Sequence, residues 1–279
     1  MPSCKAAAFA ETLHSRQNAR LKGLRQRLLR PDPAEDGLVA IEGDHLLREA
    51  VRSGLKVRSI YVREDRAADL DTLCAGCDAD ETQIFLVSAE ALNRACATES
   101  PQGVAAVVEI RRTSLDQMLE APNPLLAILA GLQDPGNVGA ILRTAEAFGV
   151  SGVLLTPGTA SPWNAKSLRA SAGSAFRVPM AQLETASLLR RLTDRQMRIY
   201  ACAARGGVSL EQAAWEQPSA FVIGNEGAGI ADEILAFCTE RLHIPMPGPV
   251  ESLNAAVAAS IVCYQASRQR AAAAIASRP

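Results

Sequence analysis

Residues 125–132, LLAILAGL, form a continuous apolar run with turn residues on both sides. A strand with water on one face alternates polar and apolar side chains, so an unbroken run belongs to a strand covered on both faces. Such strands lie inside parallel sheets flanked by helices. The next segment keeps to that pattern. QDPGN turns the chain, VGAILRTAEAF carries apolar side chains at 138, 141, 142, 145 and 148, and Gly149 stands where a helix terminates. Strand VSGVLLT comes next, then a long loop with a short helix. A helix (about 184–195), strand RIYACAA, strand AFVIG, a glycine loop, a helix (231–238), strand RLHI and a long last helix complete the order. The expectation is an α/β domain over 121–279 with a mostly parallel sheet, joined to what precedes it by APNP at 121–124.

The first 120 residues read as a smaller α/β domain. LVAIEG, VRSIYV, ETQIFLVS and GVAAVVEI are strands. DHLLREAVRSG, opened by Asp44 and closed by Gly54, and SAEALNRACAT are helices. Ahead of them, residues 14–30 place Leu21, Leu24 and Leu28 at helical spacing beside Arg16, Arg20, Lys22, Arg25, Arg27 and Arg30, with no acid. A solvated charged face is the ordinary fate of such a run. Six uncompensated cations in a chain of formal net charge −1 also fit a phosphate backbone. No aromatic side chain interleaves them, so base stacking is not indicated.

The 7 cysteines, odd in number and scattered, suit reduced thiols rather than a disulfide framework. Cys74 and Cys77 form a single C-x-x-C among acidic neighbours, which disfavours a thiolate, and no second pair completes a zinc site. No metal is expected. No apolar run reaches the roughly 18 residues that span a bilayer. The N-terminus lacks the apolar core of a signal peptide, so the cytoplasm is the expected compartment.

In parallel sheets, ligands sit outside the carboxyl ends of the strands. Three loops there carry unusual chemistry: 133–137, 224–229 and 245–254. The glycines of GNEGAG let backbone groups approach a ligand directly. No Gly-Lys-Ser/Thr follows them, and Glu226 repels phosphate, so a nucleoside triphosphate is disfavoured against a neutral or cationic adenosine-like ligand. In the third loop, prolines at 245, 247 and 249 stiffen the approach to an alanine-rich helix whose small residues invite close packing by another helix.

These segments resemble the SpoU/TrmH branch of the SPOUT RNA 2′-O-ribose methyltransferases. Gln133-Asp134-Pro135-Gly136-Asn137-Val138-Gly139 with Arg143 matches that family's first motif, and Ile223 to Gly229 its second. Ile244-Pro245-Met246, Gly248 and Ser252-Leu253-Asn254 through Ala258 match the third. Ile41-Glu42-Gly43 and Ser100-Pro101-Gln102-Gly103 resemble the ribosomal-protein-like substrate-binding domain that precedes many such catalytic domains. The resemblance implies a trefoil knot at the C-terminal end of the α/β domain, binding of S-adenosylmethionine, and a two-fold homodimer. It implies a cofactor site of Leu155, Gly224, Asn225, Glu226, Gly227, Ile244, Met246, Leu253 and Ala258. It also implies an active site of Asn137, Arg143, Ser252 and Asn254. Arg143 is either the base or a clamp on phosphate and the developing oxyanion; since a guanidinium is effectively never deprotonated, the clamp is preferred. Lys166 and Arg169 join the N-terminal cations as expected RNA contacts.

The function so implied is methylation of a ribose 2′-hydroxyl, with 23S rRNA favoured over transfer RNA by analogy alone. A non-catalytic RNA-binding protein is the other class, and the intact Asn137, Arg143, Ser252 and Asn254 count against it. A nicotinamide enzyme would need a glycine fingerprint at the first strand–helix turn, and DPGNVG lacks it.

Overall fold

The computed structural model describes residues 9–15, 17–98 and 101–276. Arg16 and Ser100 therefore lie outside the described residues. In chain order the elements are β1 (Phe9–Leu13), α1 (Ala19–Leu29), β2 (Leu38–Glu42), α2 (Asp44–Arg52), β3 (Lys56–Arg63), α3 (Leu70–Leu73), β4 (Gln83–Val87), α4 (Ala89–Ala95) and β5 (Val104–Glu109). Then come α5 (Leu115–Leu119), β6 (Leu125–Leu129), α6 (Pro135–Ala147), β7 (Gly152–Leu155), α7 (Ala165–Ser171), β8 (Met180–Gln182), α8 (Thr185–Asp194) and β9 (Arg198–Ala203). The last are β10 (Val208–Ser209), β11 (Ser219–Ile223), α9 (Asp232–Leu235), β12 (Glu240–His243) and α10 (Ala255–Ala276). The chain forms two compact units, one of residues up to 111 together with 161–177, the other of 112–160 and the residues from 178 onward.

The first unit is a five-stranded mixed sheet in the order β1-β4-β3-β5-β2. Strand β1 falls where the sequence reading places no element; it pairs parallel to β4. The basic helix begins at Ala19 rather than near His14, because the Asn18 side chain accepts from the Arg20 amide at 2.8 Å and caps it there. Leu21 and Leu24 bury against Phe85, Leu92 and Tyr61, as the spacing requires. The cations opposite are not all uncompensated. Arg27 pairs with Asp36, Arg25 donates to the Arg94 carbonyl, and Arg20 lies 4.7 Å from the Phe85 ring while donating to Gln83. Lys22 and Arg30 remain exposed.

Residues 161–177, expected within the second domain, pack in the first unit. Trp163 stacks on Phe176 at 6.4 Å. Arg177 donates to the buried Glu49 carboxylate at 2.9 Å and to the Ser53 hydroxyl at 3.0 Å. Gly173 adopts φ +91, and a Cβ there would sit 2.8 Å from the Glu49 side chain. Only glycine combines that backbone with that approach.

The second unit is a seven-stranded sheet in the order β10-β12-β9-β11-β6-β7-β8. All its strand pairings are parallel. The five residues of β6 are each 1% exposed or less, which is why the run carries no polar side chain. On one face Leu188, Leu189 and Leu192 of α8 cover Leu126, Ile128 and Val222. Helix α10 packs on α6, and the Thr144 and Ser260 hydroxyls join the two at 2.9 Å. Gly149, at φ +69, ends α6 in the left-handed region as expected. The short β8 and β10 add the two edge strands that the patterning lacked. The helix expected at 231–238 reduces to a single turn.

The last helix corrects one expectation. Ala256, Ala259 and Ala266, expected to meet a partner helix, are buried within this unit, Ala259 and Ala266 fully so. The large apolar side chains that α10 exposes are Val257 (47%), Tyr264 (48%) and, near its end, Ile275 (71%), with Tyr264 edge-on to Phe148 at 5.7 Å.

Further along α10, the half-buried Arg270 donates to the carbonyls of Asn123, Pro124 and Gln217 and to the Ser219 hydroxyl. It thus holds the helix to the starts of β6 and β11. Arg270→Met keeps the apolar stem but leaves those acceptors without their donor. The expected loss is about 2–4 kcal/mol, since hydrogen bonds to charged groups contribute about 1.5–3 kcal/mol each and do not add fully. Urea unfolding of the purified variant checks it; an unchanged midpoint would mean water replaces the guanidinium at no cost.

Candidate active site

The strand order reverses between β6 and β11: from β6 the chain moves outward to β7 and β8, then returns on the other side through β9. At such a reversal the loops leaving the two strands diverge and open a crevice. The loop after β6 is 130–134 and the loop after β11 is the glycine loop. A cavity of about 620 Å3 lies beside it, at the carboxyl ends of β9, β11 and β12, within the range of small-molecule sites. Its apolar walls include Ile223, Ile230, Leu235, Leu242 and Val262.

Asn225 shapes the glycine loop. Its side-chain carbonyl accepts from the amides of Gly227 and Ala228, both at 2.9 Å, and its NH2 donates to the Gly131 carbonyl at 2.8 Å. Its backbone bridges Gly229 in both directions. A Cβ on Gly224 would lie 2.5 Å from the Gly229 carbonyl, so the loop closes only with glycine there.

Glu226 ties this loop to the first motif. One carboxylate oxygen accepts from the Gln133 amide at 3.1 Å; the other accepts from the Asp134 amide at 3.1 Å and from the Asn137 side chain at 3.0 Å. Burial pushes this carboxyl up, but the Asn137 amide and the backbone donors outweigh it and hold the group below its usual range. The carboxylate also sets the direction of the neighbouring amides. Asn137 must turn its NH2 toward Glu226, so its carbonyl is left to accept from the Asn254 NH2 at 3.0 Å. Asn254 in turn presents its carbonyl to the amides of Ala256 and Val257, at 2.9 and 3.2 Å, and caps α10. An acid and two amides, far apart in sequence, make one chain of donors ending at a helix N-terminus.

The structure gathers most of the residues singled out from the sequence. Gly224, Asn225, Glu226, Gly227, Ile244, Met246, Leu253 and Ala258 line the cavity, as do Ser252 and Asn254. Leu155 does not. It is buried in β7, paired with Leu129 and Gln182, two strands from β11. Asn137 reaches the cavity through Asn254. Arg143 is exposed on α6 and is not among the residues lining the cavity. Lys166 and Arg169 are exposed on α7, in the first unit. Sequence reasoning missed Cys202, Ala203 and Ala204 at the end of β9 and Arg241 on β12. The strand-end rule points to the first three once the strands are placed; Arg241 carries no local signal. Among the described residues, no cluster of His, Cys, Asp or Glu could hold a metal ion, and no helix is long and apolar enough to cross a membrane.

Residues 124–264 match the SpoU rRNA Methylase family, and residues 40–114 match the substrate-binding module of RNA 2′-O ribose methyltransferases. The 23S rRNA (guanosine(2553)-2′-O)-methyltransferase RlmP of Bacillus subtilis is 31% identical over 90% of this chain and 97% of its own length. An uncharacterised tRNA/rRNA methyltransferase of Synechocystis is 33% identical over 93% of this chain and 94% of its own. Among solved structures, the SpoU methyltransferase AviRb from Streptomyces viridochromogenes, in complex with AdoMet, aligns with TM-score 0.79 and 26% identity over 91% of this chain and 99% of its own. An AdoMet-bound rRNA methyltransferase from Sinorhizobium meliloti aligns with TM-score 0.80 and 26% identity over 93% and 98%.

Proposed function

Since the chain belongs to the SpoU rRNA methylase family, we propose that it transfers a methyl group from S-adenosylmethionine to a ribose 2′-hydroxyl of 23S rRNA. The observation that carries the reading is the relay from Glu226 through Asn137 and Asn254 into α10, built beside a cavity of cofactor size. The residues present suit the donor. Apolar walls and approachable glycine backbone fit adenine and ribose. Among the described residues the lining holds one acid, Glu226, and one base, Arg241, and no basic cluster, which suits a ligand carrying charges of both signs over a triphosphate. Gly224, Ile244, Leu253 and Ala258 would hold it, with Met246 and Gly227 beside them. When bound, it supplies an electrophilic methyl carbon on a sulfonium.

The chain's own part is placement and charge stabilisation: as the C–O bond forms and the methyl–sulfur bond breaks, the 2′-hydroxyl proton passes to solvent water. The 2′-oxygen has to reach the methyl carbon in line, at about 3 Å. Asn137 and Asn254 already have fixed donor and acceptor directions, so they lose no orientational freedom when substrate arrives. Ser252, exposed at the cavity wall, is placed to bind the ribose or an adjacent phosphate. Arg143 grips a phosphate and balances charge on the oxygen that loses its proton. Lys22, Arg30, Lys166 and Arg169 offer further phosphate contacts. The 23S assignment is supported by the Bacillus relative over nearly its whole length. The cytoplasm, where that RNA resides, is the compartment proposed. Titration calorimetry of the full chain tests the cofactor: S-adenosylmethionine should bind with no added metal, and binding of nicotinamide dinucleotides in its place would overturn the assignment.

We also propose a two-fold homodimer formed through the exposed side of α10 rather than its alanine side. Val257 and Tyr264, two turns apart, make an apolar stripe that a second copy would cover. Tyr264→Arg should leave monomers by light scattering at micromolar concentration. A wild-type chain that is monomeric under the same conditions would contradict the assembly.

A further inference from the structure

Among the described residues, the cavity lining holds two charged side chains, Glu226 and Arg241. Glu226 is committed, with three N–H groups already on its two oxygens. Arg241 is exposed, and among the described residues its guanidinium has no hydrogen-bond or ion-pair partner. Its backbone is fixed, by contrast. It pairs with Ala201 of β9, and a Cβ on Gly207 would fall 2.0 Å from its carbonyl oxygen, so the loop before β10 presses against it. β12 and β11 flank β9 on opposite sides. Arg241 and the glycine loop therefore stand on strands two spacings apart, about 9–10 Å. The cavity has an apolar, glycine-lined pole and a cationic pole, and among the described residues nothing pairs with the cation.

We propose that Arg241 binds the α-carboxylate of the methyl donor, and so makes the site selective for the amino-acid end of its ligand. This rests on the reading that S-adenosylmethionine occupies the cavity. Of that molecule's polar groups, the carboxylate alone is anionic, and a guanidinium on a fixed backbone grips a carboxylate through two parallel N–H donors. The position is not explained by packing, since the side chain is exposed. Nor does the Glu226 relay use it.

The test is calorimetry of the full chain, without RNA, using two ligands that differ only at this group: S-adenosylmethionine and its decarboxylated form. Omitting RNA removes any contribution from Arg241 to a phosphate. Arg241→Met should weaken S-adenosylmethionine about tenfold or more and leave decarboxylated binding unchanged, so that the wild type's preference between the two collapses. Arg241→Lys should recover only part of the preference, because an ammonium gives charge without the fork. Unfolding of the ligand-free variants should match the wild type; if the Met variant does not fold, the Lys variant carries the comparison. Equal losses for both ligands, or no loss for either, would overturn the carboxylate contact. If the wild type binds neither ligand, the cofactor assignment itself fails, which is a different outcome.

Discussion

Arg143→Ala should lower single-turnover methylation of an rRNA transcript by two or more orders of magnitude, about 2.7 kcal/mol of transition-state stabilisation. The side chain is exposed on α6, six residues beyond Asn137 and so about 9 Å along the helix axis. Long side chains on a helix lean toward its N-terminus, which here is the cavity end. An exposed arginine contributes little to stability, so unfolding and binding of S-adenosylmethionine should be nearly unchanged in the variant. Arg143→Lys should rescue poorly, because an ammonium lacks the two-point grip on phosphate. If Arg143 acted as a base instead, raising the pH would restore the alanine variant; a clamp leaves it impaired at all pH. Near-normal rates in the alanine variant would return Arg143 to the solvated surface.

Glu226→Gln is expected to have the second largest effect, through orientation rather than charge. A glutamine has one acceptor where the carboxylate has two, so one of the donors from Gln133, Asp134 and Asn137 must face an NH2. Where that donor is Asn137, it can avoid the clash only by flipping its amide. It then meets the Asn254 NH2 with its own NH2, and the cap on α10 is disturbed in turn. An unsatisfied donor costs about 1–3 kcal/mol, so methyl transfer should fall by about ten- to a hundredfold. The pH dependence separates this from a general loss of structure. The folded carboxyl titrates below its ordinary value of 4.5. Its contribution is therefore complete above that value and is lost as pH falls through the lower, folded one. The wild-type rate should be flat with respect to this group from about pH 5 upward, and the glutamine variant should lose the acid limb that Glu226 causes. A glutamine variant with a wild-type rate would mean the relay is not needed.

Much of the scaffold was legible because it obeys periodicity. β6 is apolar at every position because both its faces are covered, and Gly149 ends α6 where a left-handed residue is required. The glycine loop was legible as a loop, but not the closing of its backbone on itself at Asn225 and Gly229. The relay was not legible from spacing, because Asn137 and Asn254 are 117 positions apart and meet only through the packing of α10 on α6. Their roles came from family resemblance, which did not give the polarity that Glu226 imposes on them. Resemblance also misplaced Leu155, which is buried in β7 away from the cavity. Charge runs misled in a different way. Arg27 looked uncompensated within its helix and finds Asp36 in the loop after it. The alanines of α10 correctly announced a close helix contact, but small side chains do not reveal whether the neighbour belongs to the same chain, and here it does. Residues 161–177 come after β7 in sequence yet pack against α2 through Glu49, a contact with no local signature. Threading of the C-terminal segment leaves no trace in hydrophobic spacing either, so the knot is carried by resemblance alone.

The central claim is that the loops after β6 and β11, with the approach to α10, place a ribose 2′-hydroxyl of 23S rRNA against the methyl donor. The most direct measurement incubates the full chain with methyl-labelled S-adenosylmethionine and total rRNA from cells lacking this gene, then locates the label by nuclease protection and alkaline hydrolysis. A 2′-O-methyl group makes the adjoining phosphodiester resistant to alkali, because the oxygen that would attack it is blocked. The account predicts stoichiometric label at one alkali-resistant position in 23S rRNA, acquired about a hundredfold or more slowly with Arg143→Ala. Label on a base, label on transfer RNA alone, or no transfer at all would contradict it.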